Sequence, residues 1–182
     1  MNLVADLVSL QPELAPDRRV EFPWAISRMK EVGNVLDVGC GGSIIEKYLE
    51  NKGFSVVAID ISKDLGGTYY NREKRECFVL CDCFKPPFKL GSFDYVLVVS
   101  TIEHFEEDGE ALKALVPLIK KNGKILVTVP YGESAWKLPC TRIYDDRDLK
   151  ERLVSKNALK LTNKEFFKLD WYKNIACLEL TK

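Results

Sequence analysis

Val35-Leu36-Asp37-Val38-Gly39-Cys40-Gly41-Gly42-Ser43 is a short apolar run that meets three glycines, and from Ile44 it passes into an amphipathic stretch. A strand that turns sharply into a helix while presenting backbone N–H groups has this composition. Glycine tolerates the turn and leaves no side chain between the backbone and a ligand. The spacing narrows the choice of ligand. A dinucleotide turn takes Gly-x-Gly-x-x-Gly, and the place of the third glycine is held by Ile44, which disfavours NAD.

On either side of this turn, β-branched runs alternate with longer amphipathic stretches. That is the pattern of strands joined by crossover helices, and so of a mostly parallel sheet covered on both faces. Strands are predicted over 34–38, 54–60, 77–81, 93–99 and 123–129. Ile44, Ile45, Tyr48 and Leu49 recur at helical spacing before Gly53, which predicts a helix of about ten residues. A second helix is predicted over 110–121, with Leu112, Leu115, Val116 and Ile119 on one stripe and Asn122-Gly123 as its stop. A third starts at Asp145 as its cap and runs through Leu153. Residues 164–170 and 174–180 are β-prone and joined only by Trp171-Tyr172-Lys173, too short for a helical crossover, so an antiparallel hairpin is expected at one edge. The expected fold class is α/β: a doubly wound, mostly parallel, seven-stranded Rossmann-like sheet with a C-terminal antiparallel hairpin. The length, 182 residues, suits one domain.

Charge excludes some partners. Twenty-seven basic residues balance twenty-seven acidic ones, so the cationic excess that drives non-specific nucleic-acid binding is missing, although RNA stays open as a specific acceptor. Residues 1–6 lack the basic start of a secretory signal, and no run approaches the ~20 apolar residues of a membrane helix, so no membrane association and a cytoplasmic location are expected. Nothing in the sequence encodes an oligomeric state. Of six cysteines, Cys77, Cys81 and Cys83 cluster, but their spacing is not of the CxxC type and the sole histidine, His104, lies in another segment. Buried, reduced strand thiols are expected there, and no metal.

The glycine turn resembles motif I of the class I S-adenosylmethionine-dependent methyltransferase family, in its small, stand-alone, small-acceptor form. An acid precedes Gly-x-Gly-x-(Gly or small), here Asp37, Gly39, Gly41 and Ser43. A parallel sheet followed by a helix and a closing hairpin is similar to that fold across most of 34–182. The resemblance implies S-adenosyl-L-methionine as cofactor, with the loop cradling its methionine portion and Asp37 orienting the ammonium end. Asp60, about twenty residues on at the end of the second strand, suits a carboxylate that accepts from two vicinal ribose hydroxyls, and Ile61 is expected to cover the adenine. By the same resemblance Asp82 accepts the adenine amino group and the Cys83 N–H meets a ring nitrogen. The fourth strand runs into Ser100-Thr101-Ile102-Glu103-His104-Phe105, similar to the fourth motif of small-acceptor members, and Ser100 joins the expected cofactor contacts. The chain lacks the Asn/Asp-Pro-Pro-Tyr signature used to methylate planar amino groups, so that chemistry is not expected.

Methyl transfer from a sulfonium is an in-line displacement that needs positioning rather than a side-chain nucleophile. A base helps only where the acceptor sheds a proton. His104 is the candidate, with Glu103 orienting it or touching substrate; the alternative is that both merely begin a solvated helix. The stretch 130–136, with Arg142 and Tyr144, is expected to line an acceptor pocket or pack against the hairpin. N-terminal helices of this family often fold over the cofactor, so 1–33 is expected to be a helical lid on a cofactor-binding core, 34–182, with Arg19 and Glu21 facing the site and Trp24 packing. The expected function is methyl transfer to a small molecule or a modest side chain. The alternative is a catalytically silent S-adenosylmethionine-binding subunit, and aminopropyl transfer is disfavoured because only Glu103 and Glu106-Glu107-Asp108 could hold an amine.

Overall fold

The computed structural model describes residues 3–62, 77–133, 135–137, 141–169 and 173–182. Its strands are β1 (Asn34–Val38), β2 (Ser55–Asp60), β3 (Phe78–Leu80), β4 (Phe93–Val99), β5 (Ile119–Tyr131), β6 (Ala135–Lys137), β7 (Thr141–Ile143), β8 (Lys160–Leu169) and β9 (Lys173–Thr181). Seven form one sheet in the order β3-β2-β1-β4-β5-β9-β8. β1 to β5 run parallel, whereas β9 pairs antiparallel with both β5 and β8. β6 and β7 make a separate two-stranded sheet.

The central strands are mostly apolar because both faces of the sheet are covered. Val35, Tyr95, Leu97 and Val99 belong to the core beneath α1 (Leu3–Leu10), α2 (Arg18–Arg28) and α3 (Ile45–Asn51). Leu36, Val38, Val96 and Val98 belong to the opposite core, under α4 (Asp108–Leu115) and the helical segment that carries Leu149 and Leu153. With side chains alternating along a strand, Asp37 falls on the face of Val35, beneath the N-terminal helices. The polar end of β1 is thereby aimed at α1 and α2.

The second predicted helix is corrected. Pro117 has no N–H to give the i−4 carbonyl, so the α-helical path stops at Leu115, tightens through Val116–Leu118, and gives way to β5 at Ile119. Asn122 and Gly123 therefore lie inside β5 rather than ending a helix. A Cβ on Gly123 would stand 3.0 Å from the carbonyl oxygens of both Phe93 and Asp94, at the point where the β4–β5 register slips. The third helix begins where expected, with Asp145 accepting the Asp148 N–H at 2.8 Å, but widens from α5 (Asp146–Asp148) into a π-helix over Leu149–Val154. Both strands of the hairpin are longer than predicted, and most of the turn between them lies outside the described residues.

Among the described residues no helix is long and apolar enough to cross a membrane, and no group of His, Cys, Asp and Glu is placed to hold a metal. Among the described residues, Cys40, Cys77, Cys81, Cys83 and Cys177 form no disulfide.

Candidate functional site

The loops that follow β1, β2 and β4 meet at the C-terminal edge of the parallel strands, where ligands bind in open α/β sheets. Gly39 holds φ +67°, and a Cβ built there would lie 2.1 Å from Thr101 Cγ2, so only glycine fits. The Gly39 and Cys40 N–H groups donate to the Ile59 carbonyl at 2.8 and 3.1 Å, stitching the loop to β2. Asp60 completes the joint: its carboxylate accepts from Gly41 N–H at 2.9 Å and Ser62 N–H at 3.0 Å. Ser43 Oγ accepts from Ile45 N–H at 3.1 Å, which fixes the entry to α3.

Two cavities share this loop. The larger, about 640 Å³, extends from Asp60, Ile61, Asp82 and Cys83 on one side to Ser100 and His104 on the other. The smaller, about 270 Å³, lies between the loop and the turn carrying Gln11, Leu14 and Ala15, with Asp37 and Ser43 in its wall. Gly39, Gly41, Gly42 and Arg18 line both. All nine residues expected to contact the cofactor thus border one of the two spaces. Their exposures differ in a useful way. Asp60 is 5% exposed and held by backbone donors, whereas Ile61 is 69% exposed, a bare apolar surface at the cavity edge. Burial, and then the Asp82 charge, push the Cys83 thiol up to about 12, so it lines the cavity as an inert neutral group.

On the α2 side one expectation is corrected. Arg19 is exposed and donates to the Leu14 carbonyl at 3.0 Å, and Arg18 is the arginine that borders both cavities. Positions 18 and 21 lie three apart and share a helix face, while 19 and 21 do not. Burial works against the Arg18 charge, but Glu21, Asp17 and Glu103 outweigh it and hold the guanidinium firmly protonated. Glu21 is fully buried. It pairs with Arg18 and accepts from the Ser100 hydroxyl at 2.6 Å and the Thr128 hydroxyl at 2.8 Å. Ser100 itself sits at φ +42°, a left-handed conformation at the end of β4.

Glu103 and His104 part company. His104 is exposed and lines the larger cavity, next to Phe105, which meets Phe84 edge to face at 5.6 Å. Glu103 is 2% exposed and lines neither cavity; its field reaches Arg18 and Tyr144 instead. It is therefore not placed to touch a substrate in either space. Tyr144 and Arg142 also turn inward. Tyr144 is fully buried and donates to Asp108 at 2.8 Å, and Arg142 Nε stands 3.2 Å from the same carboxylate. Burial first, then the Asp108 charge, pushes the Tyr144 phenol far up. Tyr131 stacks on Phe166 with centroids 4.3 Å apart and donates to Asp146 at 3.1 Å. Ser134 and the Trp136 side chain lie outside the described residues.

Thr101 and the aromatic pair Phe84 and Phe105 are site residues that sequence reasoning missed. No periodicity marks them, because each is placed by a loop. Arg18 was findable from helical phase.

Residues 36–127 match the sequence profile of a family described as a methyltransferase domain. A tRNA (carboxymethyluridine(34)-5-O)-methyltransferase of Xenopus tropicalis is 37% identical over 107 residues, 57% of this chain and 16% of that protein. A malonyl-[acyl-carrier protein] O-methyltransferase of Pseudescherichia vulneris is 24% identical over 131 residues, 69% of this chain and 52% of the relative. The chain thus spans about half, or less, of these curated relatives. In fold it is similar to a Burkholderia thailandensis 1,6-didemethyltoxoflavin-N1-methyltransferase solved with S-adenosylhomocysteine, with TM-score 0.75, 16% identity, and coverage of 99% of this chain and 88% of that one.

Proposed function

This chain belongs to the class I S-adenosylmethionine-dependent methyltransferase family, and we propose that it transfers a methyl group to an oxygen of a small acceptor. The observation that carries the reading is the pair of joined cavities at the strand ends: residues from four separated segments, named from the sequence as cofactor contacts, all border them. Both curated relatives described above are named as O-methyltransferases, which supports oxygen as the acceptor atom.

The residues present fit the cofactor. Asp60, nearly buried and fixed by two backbone donors, holds the ribose hydroxyls; Ile61 covers the adenine face; Asp82 and the Cys83 N–H read its edge. The smaller cavity takes the amino-acid end, with Asp37 toward the ammonium and Arg18 toward the carboxylate. When bound, S-adenosylmethionine supplies an activated methyl on a sulfonium sulfur. The chain's own part is to orient and to exclude water: the turn carrying Gln11, Leu14 and Ala15 roofs the smaller cavity, and we read 1–33 as a lid on the core. His104, on the wall of the larger cavity, takes the proton from an acceptor hydroxyl where the acceptor has one to lose. The balanced charge favours a small acceptor over non-specific nucleic-acid binding.

Calorimetry with S-adenosylmethionine and S-adenosylhomocysteine on the wild type and Asp60→Ala tests the site. Binding by the wild type that falls about 100-fold or more in the variant supports the reading, since two charge-assisted hydrogen bonds are lost. A wild type that binds neither compound overturns it. Binding without label transfer to any oxygen acceptor would instead favour a silent subunit.

A further inference from the structure

We propose that Glu21 is a positioning residue for the amino-acid end of the cofactor, a buried carboxylate that holds Arg18 and Ser100 together across the joint between α2 and β4. The proposal rests on the cofactor reading above. Glu21 lines neither cavity and has no exposure, yet it is bonded to a residue that lines both and to another that lines the larger.

Three donors converge on it. Arg18 Nη1 meets one carboxylate oxygen, and the Ser100 and Thr128 hydroxyls meet the other at 2.6 and 2.8 Å. The Ser100 N–H in turn reaches the carbonyl and hydroxyl of Thr128, both at 3.1 Å. Ser100 therefore keeps its φ of +42°, which an L residue resists, because three bonds to Glu21 and Thr128 over-determine it. β5, β4 and α2 are pinned at a single point, and that point lies under the wall shared by the two cavities.

Arginine carries five N–H donors in a rigid fork, and Glu21 engages one edge of it. Arg18 so held borders both cavities together with Gly39, Gly41 and Gly42. A ligand with an amino-acid tail depends on this orientation. A ligand that keeps adenosine and sulfur but lacks the tail does not, because its contacts are with Asp60, Ile61 and Asp82.

The test compares S-adenosylhomocysteine with 5′-methylthioadenosine by calorimetry on the wild type, Glu21→Gln and Arg18→Ala/Glu21→Gln against Arg18→Ala. Glu21→Gln is expected to weaken S-adenosylhomocysteine about 10-fold while leaving 5′-methylthioadenosine within about 2-fold, as for the loss of one charge-assisted bond. In the Arg18→Ala background the same change is expected to cost less than about 3-fold, because the residue acts through Arg18. Should Glu21→Gln not fold, Thr128→Val removes one of the three donors from a residue that lines neither cavity and is expected to show the same selectivity at smaller size. Equal losses for both ligands, or no loss for either, overturn the proposal and leave the cofactor reading intact. A wild type that binds neither ligand overturns the cofactor reading, and this one with it.

Discussion

Thr101 occupies the space that a β-carbon on residue 39 would need, its Cγ2 standing 2.1 Å from that position while Gly39 holds φ +67°. Gly39→Ala must therefore pay for both a steric displacement and a left-handed backbone. We expect a loss of about 3 kcal/mol in urea unfolding, from overpacking and φ strain together. Thr101→Ser removes the nearest atom and should restore part of that loss in the double variant. Additive effects of the two substitutions would contradict the clash.

Asp108 is 1% exposed and gathers Tyr144, Arg142 and both Nε and Nη2 of Arg152. Its partners are not equivalent. Tyr144→Phe removes one neutral donor and is expected to cost about 1 kcal/mol, whereas Arg152→Ala strips a two-pronged charged partner and should cost about 2–3 kcal/mol. Chemical denaturation of the two variants checks the order, and a Tyr144→Phe that exceeds Arg152→Ala would refute it.

Asp94 links the start of β1 to β5, accepting from Asn34 N–H and from Lys120, each at 2.8 Å. Burial pushes its carboxyl up, but the bonds from Lys120 and Asn34 outweigh burial and hold it below the ordinary value of 3.8. A depressed carboxylate contributes stability that is present above the ordinary value and is lost as pH falls through the lower, folded one. The urea midpoints of the wild type and Asp94→Asn should therefore differ at neutral pH and converge below about pH 4. The pair is partly exposed, so the neutral-pH difference should stay under about 1 kcal/mol. A gap that persists unchanged in acid would exclude this account.

If His104 is the base for a protonated oxygen acceptor, His104→Ala should lower turnover about 100-fold near neutrality and flatten its dependence on pH. An acceptor already ionised at neutral pH needs no base. For such an acceptor the variant should keep turnover within about 3-fold and change KM instead. The split between kcat and KM therefore reads the protonation state of the acceptor as well as the role of the histidine.

β1 and β4 appear over the residues that their mostly apolar runs mark, because a strand buried on both faces leaves little ambiguity of boundary. The helix expected over 110–121 failed on one residue: its stripe was real, but Pro117 outweighs the pattern, and the apolar Ile119 is buried as a strand residue instead. The nine residues expected at the cofactor all border the two cavities, because the chemistry of the strand ends is local. The inward turn of Arg142 and Tyr144 was not legible, since it depends on Asp108, which Arg152 reaches from a distant part of the chain only through the π-helix. Arg18 and Glu21 fall between these cases. Their helical phase shows that they share a face, but only the packed sheet shows that the face ends on Ser100 and Thr128.

β9 lies between β5 and β8 in the sheet although it follows both in the chain. As the chain leaves the ribosome, β5 must wait with one edge of its ladder open, and β8 emerges with no neighbour to join. Neither can be satisfied until β9 slots in and pairs with both at once. The edge of β5 that carries Thr128 is thus closed only after β9 has been made. A nascent chain halted before β9 would expose two unpaired edges to its neighbours, so the same insertion that closes the fold also defines its most aggregation-prone moment.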